Sequence, residues 1–123
     1  MTTVYYIALF LVLACTFSNT INAAPGEVKI GLQTIIPTTG LVHFSCDSGG
    51  RFDLNRNEVH DWTVPSDKIE HCFAVWNQTS CYFNAYDDSD KGHFAVHWIV
   101  EEVAFYRSQD DLLNWELRAQ WGG

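Results

Sequence analysis

The sequence predicts an all-β protein, an antiparallel β-sandwich of seven or eight short strands in one disulfide-stapled domain. Three observations carry this. Apolar and polar residues alternate with period two in one short run after another. Clusters of Pro, Gly, Asp and Asn separate the runs. No stretch shows the 3.6-residue period of an amphipathic helix, and without helices to cover them the sheets must pack on each other.

The chain has 123 residues. Val4 to Phe17 is an uncharged apolar run, followed by the polar stretch Ser18 to Asn22 and then Ala23-Ala24-Pro25. This is the layout of a secretory signal peptide, residues 1 to 23, although no basic side chain precedes the run. A run of about 14 residues is short for a membrane span, which needs about 20, so a signal anchor is the lesser alternative and no stable membrane insertion is expected after cleavage. The secreted domain is then residues 24 to 123. It holds all fifteen acidic and seven basic side chains and the whole net charge of −8. Such a surface repels nucleic acid and anionic lipid, and leaves a basic partner as the electrostatic complement.

VKIGLQ, 28 to 33, alternates Val28, Ile30 and Leu32 with Lys29, Gly31 and Gln33, a first strand with one buried face. Pro37 to Gly40 ends it. In LVHFSC, 41 to 46, Val42, Phe44 and Cys46 are expected inside and His43 outside. Residues 51 to 58 show no clear period, and a short strand surrounds Trp62 from His60 to Val64. Residues 69 to 86 read as a β-hairpin with a four-residue loop at 77 to 80. HFAVHWIVEE, 93 to 102, is a strand with Phe94, Val96, Trp98 and Val100 on one side. AFYRS follows, Asp110 to Asn114 is a candidate helical turn, and Trp115, Leu117, Ala119 and Trp121 alternate with polar residues in a last half-buried strand.

Cys15 leaves with the signal peptide, so Cys46, Cys72 and Cys81 enter an oxidising compartment as an odd set. With a loop at 77 to 80, Trp76 faces Cys81 and Cys72 lies about 13 Å further along. Bridged cysteines need Cα atoms within about 7 Å, so Cys46 pairs with either Cys72 or Cys81. Asn77-Gln78-Thr79 is an N-glycosylation sequon at the hairpin tip.

No metal or cofactor is expected. Asp88 and Asp90 alternate like calcium ligands, but His93 and Ile99 occupy the positions that a calcium loop gives to Gly and Glu. His93 and His97 would share a metal on a helix and are about 13 Å apart on a strand. No nucleophile elbow, zinc-protease motif or phosphate loop is present, although a triad assembles in space and needs no motif. The pairs Glu101-Glu102 and Asp110-Asp111 read as solvated acids. The five tryptophans of the domain read mainly as core, with a sugar-stacking platform as the alternative.

The order of residues resembles the plant self-incompatibility protein family, the S-protein homologues. FSCDS (44 to 48), Asp53-Leu54 before Trp62, HCFAVW (71 to 76), FNAY (83 to 86), Trp98 and Val100 before Phe105-Tyr106, and the terminal Trp115 and Trp121 follow the family's sequence of signals. The resemblance implies a secreted β-sandwich acting as a small non-catalytic protein ligand. In poppy the family includes the stigma determinant that engages a pollen membrane receptor. Recognition is then expected on loops, with Arg51, Asp53, Arg56, Asp67, Lys68, Asp87, Asp88 and Asp90 as candidate contact residues. Two family cysteines are missing, one of them replaced by Val96, which favours a Cys46–Cys72 bridge and leaves Cys81 free or able to link two chains of an otherwise monomeric protein. Closing that loop is worth about 3 to 4 kcal/mol. Val103-Ala104 replaces the family's Asp-Gly turn, so a wider or bulged connection is expected there. The alternative function is a secreted carbohydrate-binding or defence protein using exposed aromatic rings.

Overall fold

In the computed structural model, residues 26–37, 40–110 and 112–122 are described, and the expected signal peptide lies outside them. Nine strands form among these residues: β1 (Glu27–Thr34), β2 (Val42–Cys46), β3 (Gly50–Leu54), β4 (Val59–Pro65), β5 (Glu70–Trp76), β6 (Thr79–Tyr86), β7 (Ala95–Val100), β8 (Ala104–Gln109) and β9 (Glu116–Gln120). A five-stranded sheet in the order β4-β1-β7-β8-β9 faces a four-stranded sheet in the order β3-β2-β5-β6. All neighbours are antiparallel except β1 and β7, which run parallel.

The additional strand is β3. Phe52 and Leu54 face inward while Arg51 and Asp53 face solvent. Its polar outer positions and edge location hide the period from a search for apolar runs.

The core is an aromatic chain between the sheets. Phe83 of β6 meets Trp98 and Phe105 at centroid distances of 5.0 and 4.9 Å, and Phe105 meets Trp121 at 4.8 Å. Trp121 reaches Trp76 at 5.7 Å. Val42, Phe44 and Cys46 are buried and His43 is exposed, as the alternation of β2 requires. β1 and β7 are buried on both faces: Ile99 joins Leu112 in a second cluster outside the five-stranded sheet, with Ile35 and Trp115 packed against it.

Cys46 and Cys72 are opposite each other in register and form the disulfide. The hairpin loop is shorter than expected. Trp76 pairs with Thr79, leaving only Asn77 and Gln78, both at positive φ (48° and 66°). This is the turn whose twist matches the flanking strands. Cys81 therefore faces Ala74 rather than Trp76 and is fully buried, so its thiol cannot reach another chain. Burial also pushes that thiol's pKa up from 9.0.

Four further expectations fail locally. The Val100 to Ala104 connection is tight, with Glu101 N–H donating to the Ala104 carbonyl at 2.9 Å. Neither Glu102 nor Val103 has positive φ, so a valine fits there. Asp110 and Leu112, with φ of 57° and 59°, do not take the conformation that the expected helical turn requires. In β9, Phe105 pairs with Ala119 but Tyr106 pairs with Leu117, so Arg118 is an inserted residue. That bulge turns Leu117 outward, 54% exposed, while Ala119 and Trp121 pack on the core. Phe94 precedes β7 and is exposed.

Candidate functional site

The strand registers place the 47–49, 66–69 and 87–94 connections at one end of the sandwich, and the 55–58, 77–78 and 101–103 turns at the other. The first three are tied together. The Tyr86 hydroxyl donates to the Ser66 carbonyl at 2.8 Å. Glu70, 2% exposed, accepts on Oε2 from Ser48 N–H (2.8 Å), Gly49 N–H (2.9 Å) and the Trp62 indole N–H (3.1 Å). One carboxylate oxygen thus joins β5, the β2–β3 turn and β4 of the opposite sheet. Gly49 sits so close that a Cβ there would meet Trp62 Cε2 at 2.7 Å.

This end is acidic. Burial raises the Tyr86 hydroxyl's pKa above 10.0, and the negative charges of Asp90, Asp88, Asp87 and Asp67 raise it further. Asp67, Lys68 and Asp88 are exposed, and Lys91 reaches Asp88 at 3.5 Å. Asp87 caps a single 3₁₀ turn, Asp88–Asp90, by accepting from Ser89 N–H at 2.9 Å. Burial would raise the Asp87 pKa, but Ser89 and the Arg118 and Arg107 guanidiniums outweigh it and hold it below 3.8.

Asp90 corrects the expected contact set. It is fully buried and pairs with Arg107 at 2.9 Å, itself 4% exposed, so it fastens the 87–94 connection to the sandwich end and meets no partner. Arg107 also reaches the Ser89 hydroxyl (2.8 Å) and Glu116 (3.2 Å). Arg51 and Asp53 are strand residues on the outer face of β3, where Asp53 holds His43 at 2.7 Å. Arg56 lies in the turn at the opposite end, with its guanidinium 3.4 Å from the Pro37 carbonyl. Of the eight candidates, Asp67, Lys68, Asp87 and Asp88 are the four that come together on a surface.

A groove that sequence reading missed runs between the free edges of β6 and β9. Gly122 N–H donates to the Ser80 carbonyl at 2.7 Å and closes one end; beyond it the edges part around a cavity of about 290 Å³. Tyr82, His71, Asn84, Asp87, Trp98 and Arg118 are among its lining residues. Arg118 reaches Asp87 at 3.6 Å, and His71 Nδ1 lies 3.0 Å from Asn84 Oδ1. No period reveals Arg118, because the bulge that aims it is made by pairing with β8. Its one lining carboxylate is Asp87, and its lining cysteine, Cys72, is in the disulfide.

Ser, His and Asp do share a face elsewhere. Asp61, Gly31, His97 and Ser108 form one cross-strand row on the outside of the five-stranded sheet. Ser108 is 1% exposed and His97 4%, so no substrate reaches that hydroxyl. Cys46, Glu70 and Cys72 lie within 4.8 Å of one another, but the disulfide removes both thiolates as metal ligands. Trp62 and Trp98 are core and the other three tryptophans are half-buried, so among the described residues the most exposed Phe, Tyr and Trp rings are Tyr82 and Phe94.

No protein-family model matches this sequence, and no curated protein matches it. Among solved structures, the chain is similar to one of SPH (Self-Incompatibility Protein Homologue) proteins, described as a widespread family of small, highly stable, secreted proteins from plants. The likeness has a TM-score of 0.62 at 17% identity, over 80% of this chain and 98% of the other. The fold is that of the SPH proteins.

Proposed function

We propose that this protein is a secreted, non-catalytic ligand of the self-incompatibility type, which binds a cell-surface receptor through the acidic end of its sandwich. The observation that carries this reading is the convergence of Asp67, Lys68, Asp87 and Asp88 on a surface held rigid by the Glu70 and Arg107 knots. Ligand loops on a stapled frame lose little entropy on binding. A net charge of −8 selects a basic receptor face and speeds encounter with it. The likeness to secreted SPH proteins and the apolar run at 4 to 17 support export, with residues 1 to 23 removed. A glycan on Asn77 completes the reading. The residue is exposed at the far end from the acidic loops, so the sugar would leave the receptor surface clear.

The test is binding of labelled mature protein to plant plasma-membrane preparations. Saturable binding that protease treatment of the membranes abolishes is the expected result. An Asp67→Lys/Asp88→Lys variant, both sites exposed, should bind at least about tenfold more weakly. Binding that survives protease treatment, or that the variant leaves unchanged, refutes the proposal.

A further inference from the structure

The groove between β6 and β9 has a chemistry different from the acidic end. Tyr82 stands at its rim, 72% exposed, yet its ring is fixed by Phe73 at a centroid distance of 4.4 Å and a tilt of 37°. Ring placement is therefore settled before any ligand arrives. Behind it, the His71–Asn84 pair uses one ring nitrogen and the amide oxygen. Asn84 keeps its NH₂ group and His71 its Nε2 without partners among the described residues. Arg118 and Asp87 face each other across a loose 3.6 Å contact and carry one charge of each sign.

Donors and acceptors thus alternate around an exposed aromatic face with no net charge, on a chain whose overall charge is −8. A polyanion is repelled by the chain as a whole. An extended peptide added to the β6 edge needs a row of open backbone groups. Here the Ser80 carbonyl is taken by Gly122, the Tyr82 carbonyl by the Cys81 thiol at 3.6 Å and the Ala85 carbonyl by the Trp98 indole at 3.0 Å, so β6 offers no such continuous row. A pyranose ring satisfies what remains. Its C–H face covers an aromatic ring, and its hydroxyls both donate and accept.

We infer that this groove is a binding site for a neutral oligosaccharide, with one sugar ring stacked on Tyr82 and its hydroxyls held by Asn84, His71 and the Arg118–Asp87 pair. The inference shares Asp87 with the receptor reading, but that reading is tested at Asp67 and Asp88 and with membranes, so either can fail without the other.

The experiment titrates ¹⁵N-labelled mature protein with cellohexaose, mannohexaose and xylohexaose, with hexagalacturonic acid as the charged comparison, and follows amide shifts. At least one neutral hexasaccharide should shift Tyr82, Asn84 and Arg118 saturably. Tyr82→Ala should weaken that binding about tenfold or more, and Asn84→Ala should weaken it several-fold. Phe94→Ala, which removes the other highly exposed Phe or Tyr ring among the described residues, should leave it unchanged. The proposal is overturned if no neutral hexasaccharide shifts the groove amides, if only the galacturonate does, or if both groove variants bind like the parent.

Discussion

Replacing Glu70 tests whether one buried carboxylate joins the two sheets. Its Oε2 accepts three N–H groups, two from the Ser48-Gly49 turn, which water can reach, and one from the buried Trp62 indole. In Glu70→Ala the indole N–H loses its acceptor inside the core, at a cost of about 1 to 3 kcal/mol. The two turn amides exchange a charge-assisted bond for water, at about 1 kcal/mol each. Relief of the desolvated charge offsets part of this. The net loss is about 3 to 4 kcal/mol, which lowers Tm by roughly 12 to 30 °C in a domain of this size. Glu70→Gln keeps an oxygen acceptor but turns an NH₂ group into the knot, and should lose about half as much. Urea denaturation followed by far-UV circular dichroism gives the free energies, and exchange of the Trp62 indole proton reports the local bond. A loss under about 1 kcal/mol in the alanine variant, with unchanged indole protection, would refute the reasoning.

Gly49→Ala attacks the same knot from the other side. A Cβ 2.7 Å from Trp62 Cε2 forces the ring or the turn to move, for about 1 to 3 kcal/mol of stability, and denaturation again measures it. Replacing both Cys46 and Cys72 by Ala frees a loop of sequence separation 26, worth about 3.5 kcal/mol in the chain-entropy model; a loss below about 1 kcal/mol in equilibrium unfolding contradicts that account. Asp90→Ala leaves the buried Arg107 guanidinium with the exposed Glu116 as its remaining carboxylate and should destabilise by about 3 kcal/mol, detectable as a collapse of the native amide spectrum at moderate urea. Stability should fall in two steps on acidification. His60, stacked on Phe52 at 3.8 Å, has its pKa lowered from 6.5 by burial, against the opposing pull of Asp61 and a hydrogen bond to Gly49. Its contribution is therefore present above pH 6.5 and lost as pH falls through its folded value. Asp87, held below 3.8, contributes above that pH and loses its contribution as pH falls through its folded value. A His60→Gln variant that keeps the first step would disprove the assignment.

The local pattern along this chain determined the β class, the buried face of β2, and the approximate limits of most strands; β1, read with one buried face, is covered on both because the second cluster packs on the outside of its sheet. Alternation reports which side of a sheet a residue faces, and that is set by the chain itself. It cannot report where the period breaks. The Arg118 bulge, the extra residue at Ala85 between the Glu70–Tyr86 and His71–Asn84 pairs, and the two-residue hairpin turn all depend on how two strands align. These breaks decided the candidate sites. They turned Leu117 outward, aimed Arg118 at Asp87, and freed the Ala85 carbonyl for Trp98. Burial of Asp90 was equally illegible. An aspartate in a polar turn reads as exposed, and it is Arg107 and Gln109, seventeen and nineteen residues later on a different strand, that with the Asp87 N–H make it cheaper to bury than to solvate. Sequence alone therefore settled composition, charge and side; tertiary pairing settled register, and with register which polar groups meet.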